Sequence, residues 1–164
     1  MSKYSLGTVK NKLFNSNVVI RPARTDDLSS MTSLLSELFT IETDFSPDIR
    51  RQRQGLADLM ANAAASILVA VMDNRIVGMC SLQPLISTAE GGTVGMIEDL
   101  VVSAAFRRQG IGLALLKNIE QLEKQKNMHR LQLLTNRNNA AALSFYEKFG
   151  WHLTHMVAMR KKFG

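Results

Sequence analysis

The stretch VVSAAFRRQGIG, Val101 to Gly112, carries an apolar strand-like run into two arginines and two glycines. A strand that enters a glycine-rich turn and then a helix leaves the first N–H groups of that helix unpaired. Together with the positive end of the helix dipole, they form an anion site. Gly110 and Gly112 would let phosphate oxygens reach main-chain nitrogens that a Cβ would shield. Arg107 and Arg108 add fixed positive charge and fork-shaped donors. A phosphate-bearing ligand is the expectation. A Walker loop requires Lys-Ser or Lys-Thr after its last glycine, but Leu113-Ala114 stand there. A dinucleotide fingerprint requires a small residue three positions beyond the second glycine, and that residue is Leu115. Both nucleotide motifs fail. For the glycines alone, an ordinary helix start is an equal reading.

Two further features have the residue types for chemistry. Glu98 and Asp99 sit inside the apolar run IEDLVV, 97–102. Acids there are costly unless they act or salt-bridge to neighbouring arginines. Strand alternation predicts that the two face opposite ways. Later in the chain, Asn139, Ala142 and Tyr146 are spaced i, i+3, i+7, which is one face of a helix. Tyr146 either presents its hydroxyl from that face or packs beside Phe145 and Phe149. Asn136, Asn138 and Asn139 all suit a ligand contact or a plain helix cap. His129, His152 and His155 have no carboxylate or cysteine partners at ligand spacing, so neither a metal nor histidine catalysis is expected.

These residues need a scaffold. Val18, Val19 and Ile20 read as a short strand stopped by Pro22. Thr25 then offers a helix cap, with Asp26 and Asp27 in the first turn. Leu28, Met31, Leu34, Leu35, Leu38 and Phe39 repeat with helical spacing and should face the core. Ser46-Pro47 suggests a second helix start, with Ile49, Leu56, Met60 and Ala63 on its apolar side. Ser66 to Met72 and Ile76 to Leu82 read as strands joined by a tight Asp73-Asn74 turn. TAEGG, 88–92, turns the chain into a strand from Thr93 to Val102. A helix follows with Ile111, Leu115, Ile119 and Leu122 on one face. Arg130 to Leu134 reads as a strand, Ala140 to Phe149 as a helix closed by Gly150, and Trp151 to Met159 as a last strand. The order β-α-α-β-β-β-α-β-α-β predicts one α/β domain on a mixed sheet.

The chain has 164 residues, 46% hydrophobic and 21% charged, as in a soluble globular domain. Its longest apolar runs are too short to cross a bilayer. Residues 1–16 lack the apolar centre of a secretory signal and read as a polar extension, with the domain beginning at residue 17. The single cysteine, Cys80, cannot form an internal disulfide and reads as a small buried residue beside Met79 and Leu82; Met79 and Met96 read as core fillers. The cytoplasm is the expected location. Residues 1–99 carry 9 Lys and Arg against 11 Asp and Glu, and residues 100–164 carry 11 against 3. That basic second half suits a polyanionic small ligand, or simply a solvated surface. Nucleic-acid binding is disfavoured, because aromatics are only 6% and no nucleic-acid module is present.

Arg107-Arg108-Gln109-Gly110-Ile111-Gly112 resembles the (Gln/Arg)-x-x-Gly-x-(Gly/Ala) signature of GNAT N-acetyltransferases, which hold the pyrophosphate of acetyl-CoA in such a loop. IEDLVV is similar to that superfamily's central strand. NNAAALSFYEKFGW, 138–151, is similar to its later Asn-x-x-Ala-x-x-x-Tyr segment followed by a Gly-aromatic pair. The resemblance spans about residues 17–162 and implies an α/β fold with a mostly antiparallel sheet. It also implies acetyl transfer from acetyl-CoA to a primary amine by direct attack in a ternary complex.

Such a transfer needs a base for the ammonium, donors for the oxyanion and a proton for the departing thiolate. The resemblance implies Glu98 as base, as in diamine acetyltransferases, with Asp99 left open, and Tyr146 as the acid that protonates the sulfur. Leu100, Val101 and Val102 would pair with the pantetheine amides as an added strand does, next to a bulge. Arg107, Arg108, Gln109, Gly110, Ile111, Gly112 and Leu113 would hold the diphosphate, and Asn139 the pantetheine arm. Arg137 either reaches a phosphate or is solvated. The acceptor is a small-molecule or peptide amine; Glu37, Glu42, Asp44 and Asp48 either draw a cationic one or serve as ordinary surface and cap acids. A homodimer, through Phe163 or an exposed hairpin, would suit similar proteins. A non-catalytic acyl-CoA sensor is the alternative.

Overall fold

The computed structural model describes residues 17–41 and 45–163. The described residues up to Gln132 form one compact unit and those from Leu133 a second. The elements are β1 (Val18–Pro22), α1 (Leu28–Ile41), α2 (Ile49–Ala61), β2 (Ser66–Met72), β3 (Arg75–Ser87), β4 (Gly92–Val102), α3 (Ile111–Gln125), β5 (Leu131–Leu133) and α4 (Ala140–Lys148). Short 3-10 turns lie at Thr25–Asp27 and Ala104–Phe106. The five strands lie side by side in chain order.

β1 to β4 pair antiparallel. At the far edge the Thr93 carbonyl accepts from the His129 N–H and the Gly95 N–H donates to the Arg130 carbonyl, both at 2.8 Å. The chain entering β5 therefore runs in the same direction as β4, which makes the sheet mixed. The β2–β3 turn has Asp73 at φ 48° and Asn74 at φ 61°. Two successive left-handed residues match the strand twist, and Asp and Asn tolerate that conformation.

Each sheet face buries a different helical stripe. Met31, Leu34 and Leu35 of α1 and Leu56 of α2 close over Ile67, Val69, Met79 and Val101. On the opposite face Leu115 of α3 lies so near Gly78 that an added Cβ would sit 3.3 Å from its Cδ1. Ile111, Leu115, Ile119 and Leu122 are all buried, as their spacing predicts. Cys80 is buried with no partner thiol, and desolvation pushes its thiol well above the usual range. Met79 is fully enclosed, whereas Met96 is half-buried.

Several local expectations are corrected. Asp48, not Ser46, caps α2: its carboxylate accepts the N–H groups of Arg50 and Arg51 at 3.0 and 3.1 Å. A cap oxygen must stand immediately before the first helical residue, here Ile49, and Ser46 falls two places too early. Ile49 and Ala63 are exposed, because α2 packs on the core through Leu56, Leu59 and Met60 and ends at Ala61. Thr25 is not a cap either. Arg24 holds that position, and Asp27 accepts its N–H at 2.7 Å while pairing with Arg21 at 2.6 Å. The last strand is absent. Residues 151–163 have no regular structure, with Leu153, Met156, Val157 and Met159 exposed. An alternating apolar pattern gives strand tendency, but a strand exists only where an edge pairs with it. The expected extension, residues 1–16, lies outside the described residues.

Candidate active site

β4 carries a bulge where the two acids sit. Cys80 stands opposite Leu100 and Leu82 opposite Ile97, so Ser81 faces both Glu98 and Asp99. The extra residue interrupts the alternation that predicted opposite faces for the two carboxylates. Ser81 is fully buried, and its hydroxyl donates to Asp99 Oδ2 at 2.9 Å while accepting the Asp99 N–H at 3.1 Å. Desolvation pushes the Asp99 carboxyl up to about 6; the Ser81 bond opposes this and the neighbouring Glu98 charge adds to it. Glu98 is exposed to solvent. Among the described residues, neither acid pairs with an arginine.

Beyond the bulge, Leu100, Val101 and Val102 pair with Cys80, Met79 and Gly78. The Val101 side chain belongs to the core. The contacts that bring in β5 are made at the other end of β4, through Thr93 and Gly95. Leu100 and Val102 are half-buried.

β4 then passes through the 3-10 turn into the arginine–glycine loop. Arg108 has φ 64° and Gly110 φ 80°, which curls the backbone twice into the left-handed region just before α3. Left-handed residues of this kind recur in the backbone turns that bind anions. The first intrahelical bond runs from the Ala114 N–H to the Gly110 carbonyl at 2.9 Å. The N–H groups of Ile111, Gly112 and Leu113 precede it, at the positive end of a 15-residue helix. Ile111 is buried, so only its backbone is available. Arg107, Arg108 and Gln109 are exposed, and Arg107 Nε donates to the Val102 carbonyl at 3.0 Å.

In the second unit, Asn139 caps α4: its Oδ1 accepts the Ala142 N–H at 3.1 Å, leaving its amide nitrogen for any ligand. Asn136 Oδ1 accepts the Asn138 N–H, and Asn138 and Arg137 are exposed. Tyr146 is half-buried, with its ring 5.2 Å from Phe145 edge-on and 5.8 Å from Trp151. Gly150 at φ 86° ends this helix, as expected.

The acids expected on the acceptor side are differently employed. Glu37 binds Ser103 and Ala104, and Asp48 caps α2 and lies 3.4 Å from Arg51 Nε. Glu42 and Asp44 fall outside the described residues. Sequence spacing gives no sign of the Glu37 contact, which spans 67 positions, or of the bond between Ser81 and Asp99 across two strands.

An aminoalkylphosphonate N-acetyltransferase of Salmonella typhimurium is 29% identical over 83% of this chain and 86% of its own. A glucosamine 6-phosphate N-acetyltransferase of Trypanosoma brucei brucei is 32% identical over 86% of this chain and 92% of its own. A Bacillus halodurans structure described as a transcriptional regulator superposes with TM-score 0.78 at 25% identity, covering 89% of this chain and 99% of that one. The model of the acetyltransferase (GNAT) family, whose members use acetyl-CoA as cosubstrate, matches residues 28–151, from α1 through α4. This chain therefore belongs to the GNAT family and is an acetyltransferase acting on amines.

Proposed function

We propose that the enzyme binds acetyl-CoA along β4 and the arginine–glycine loop, and passes the acetyl group directly to a primary amine in a ternary complex. One observation carries the reading: a single run from Ile97 to Leu113 holds an exposed acid, a strand end and a doubly left-handed loop at a helix start. The N–H groups of Ile111, Gly112 and Leu113, with Arg107, Arg108, Gln109 and Gly110, suit a diphosphate in number and sign. The backbone of Leu100, Val101 and Val102 suits the pantetheine amides, and the free amide nitrogen of Asn139 adds a donor to that arm.

Glu98 takes a proton from the incoming ammonium, directly or through water. The amine nitrogen attacks the thioester carbonyl, whose oxygen charge is met by a strand N–H. The C–S bond then breaks as Tyr146 gives its proton to the departing sulfur, and the second proton of the acylated nitrogen passes, directly or through water, to the Tyr146 oxygen and restores it. A second reading assigns the base to Asp99, because its carboxyl titrates near 6 beside Ser81. A base with that pKa gives kcat/KM an acidic limb near pH 6, which Asp99→Asn removes and Glu98→Gln leaves in place.

The acceptor reading is a small amine. The two relatives named for an aminoalkylphosphonate and for glucosamine 6-phosphate suggest amines that also carry a phosphorus-centred anion. The structural employment of Glu37 and Asp48 weakens the case for a purely cationic one. We assign the enzyme to the cytoplasm; among the described residues, no helix is long and apolar enough to cross a membrane. A homodimer belongs to the same reading, supported by exposed Phe163 and by exposed Ile86 near the β3–β4 turn. The test is thiol release from acetyl-CoA in the presence of aminoalkylphosphonates, amino sugar phosphates, aminoglycosides and polyamines. Coenzyme A binding without thiol release from any amine would favour the sensor reading instead.

A further inference from the structure

Glu37 lies in the last part of α1, where an acid on a half-buried face would need no more than water. Its carboxylate instead spans to the turn between β4 and the arginine–glycine loop. Oε1 accepts the Ser103 hydroxyl at 3.1 Å, and Oε2 accepts the Ala104 N–H at 3.0 Å. Ser103 occupies the cap position of the Ala104–Phe106 turn but makes no cap bond with its own side chain. A distant helix supplies the missing acceptor, and bonds to a charged oxygen are stronger than neutral ones. The same short segment has two more ties. The Ser103 N–H donates to the Val77 carbonyl at 2.9 Å, and Arg107 Nε returns to the Val102 carbonyl at 3.0 Å. The chain just before the left-handed residues Arg108 and Gly110 is thus fixed to α1, β3 and β4 at once. A loop fixed in advance loses less freedom when a ligand settles on it.

We propose that Glu37 is a positioning residue for the diphosphate site: by clamping Ser103 and Ala104 it holds the following loop in its binding shape. The inference rests on the reading that residues 107–113 bind the coenzyme A diphosphate. It predicts a defect specific to ligands that carry that group. Glu37→Ala should raise the coenzyme A dissociation constant and the acetyl-CoA KM about tenfold, with kcat within about twofold, since two charge-assisted bonds are lost. Glu37→Gln should recover most of the affinity, because its amide can accept from Ala104 and donate to Ser103. Ser103→Ala, which removes one bond, should cost about threefold.

The decisive comparison uses acetyl-pantetheine, which has the thioester and amide arm but no diphosphate. Turnover of that donor should be unchanged in Glu37→Ala, whereas an equal loss with both donors would overturn the proposal. Unchanged coenzyme A affinity in Glu37→Ala and Ser103→Ala would overturn it too. If Glu37→Ala melts below the assay temperature, Glu37→Gln and Ser103→Ala answer the same question. Wild-type protein that binds coenzyme A no better than pantetheine would refute the underlying diphosphate reading. A clear diphosphate dependence with indifferent variants would refute the role of Glu37 alone.

Discussion

Two regions that the sequence marks for chemistry are built in opposite ways. From Ile97 to Leu113 the candidate groups are largely main chain: a bulged strand, two left-handed residues and a helix start, pinned by Ser81 and Glu37. From Leu133 to Phe163 the candidates are side chains on a nine-residue helix, followed by residues whose apolar groups are exposed. Phe145, Tyr146, Phe149 and Trp151 pack ring against ring in that second region. Backbone chemistry tolerates exchange of side chains; side-chain chemistry does not. Substitutions in the two regions should therefore fail differently.

The largest effect is expected at the one side chain of the first region that does chemistry. Glu98→Gln should lower kcat about a thousandfold, within the range for general acid–base groups, while coenzyme A affinity stays within about twofold. A loss below about threefold, combined with a large loss in Asp99→Asn, would move the base one residue along the bulge. In the second region, Tyr146→Phe should cost kcat about a hundredfold with little change in acetyl-CoA KM. Equal losses in kcat and affinity would mean that the ring only packs on Trp151 and Phe145.

The contrast also separates what was legible in the sequence. Periodicity found α1 and α3 and their buried stripes, because helical spacing records a face regardless of partner. The Asp73-Asn74 turn and the arginine–glycine loop were legible because left-handed backbone restricts residue choice. The bulge was legible only through the family resemblance, and its place at the two acids was not: two acids in a row read as alternation until the partner strand supplies its count. Glu37 and Ser81 act on groups 67 and 18 positions away, and no local pattern encodes such a pair. The final strand failed for the same reason in reverse, since propensity alone named an element that needs an edge.

Asp99 tests whether the buried side of the bulge is strained by charge. Its carboxyl sits at about 6 against an ordinary 3.8, with desolvation as the leading cause. The native state therefore binds more protons than the unfolded chain between those values. Stability should fall as pH rises from about 4 to about 6 and stay lower above that. Asp99→Asn keeps an acceptor for the Ser81 hydroxyl and removes the charge. It should be more stable than wild type at pH 7.5 by about 2–3 kcal/mol, with the difference vanishing near pH 4. Urea unfolding at several pH values reads this directly; equal stability of the two proteins at pH 7.5 would mean that the charge is solvated.

The smallest effects give the cleanest comparison, because two glycines share one strain. Gly110 in the first region has φ 80° and Gly150 in the second has φ 86°. Alanine at either position must hold a left-handed backbone, at a cost of about 1–2 kcal/mol. An added Cβ at Gly150 meets nothing within 4 Å, so Gly150→Ala should lose only that stability. Gly110→Ala should lose a similar amount and also weaken coenzyme A about tenfold, since relaxing the strain reorients the N–H groups of the loop. Thermal melts and calorimetry on the two variants, side by side, subtract the shared strain from the binding defect. Equal coenzyme A affinity in both would mean that the curl at Gly110 shapes the chain without gripping the donor.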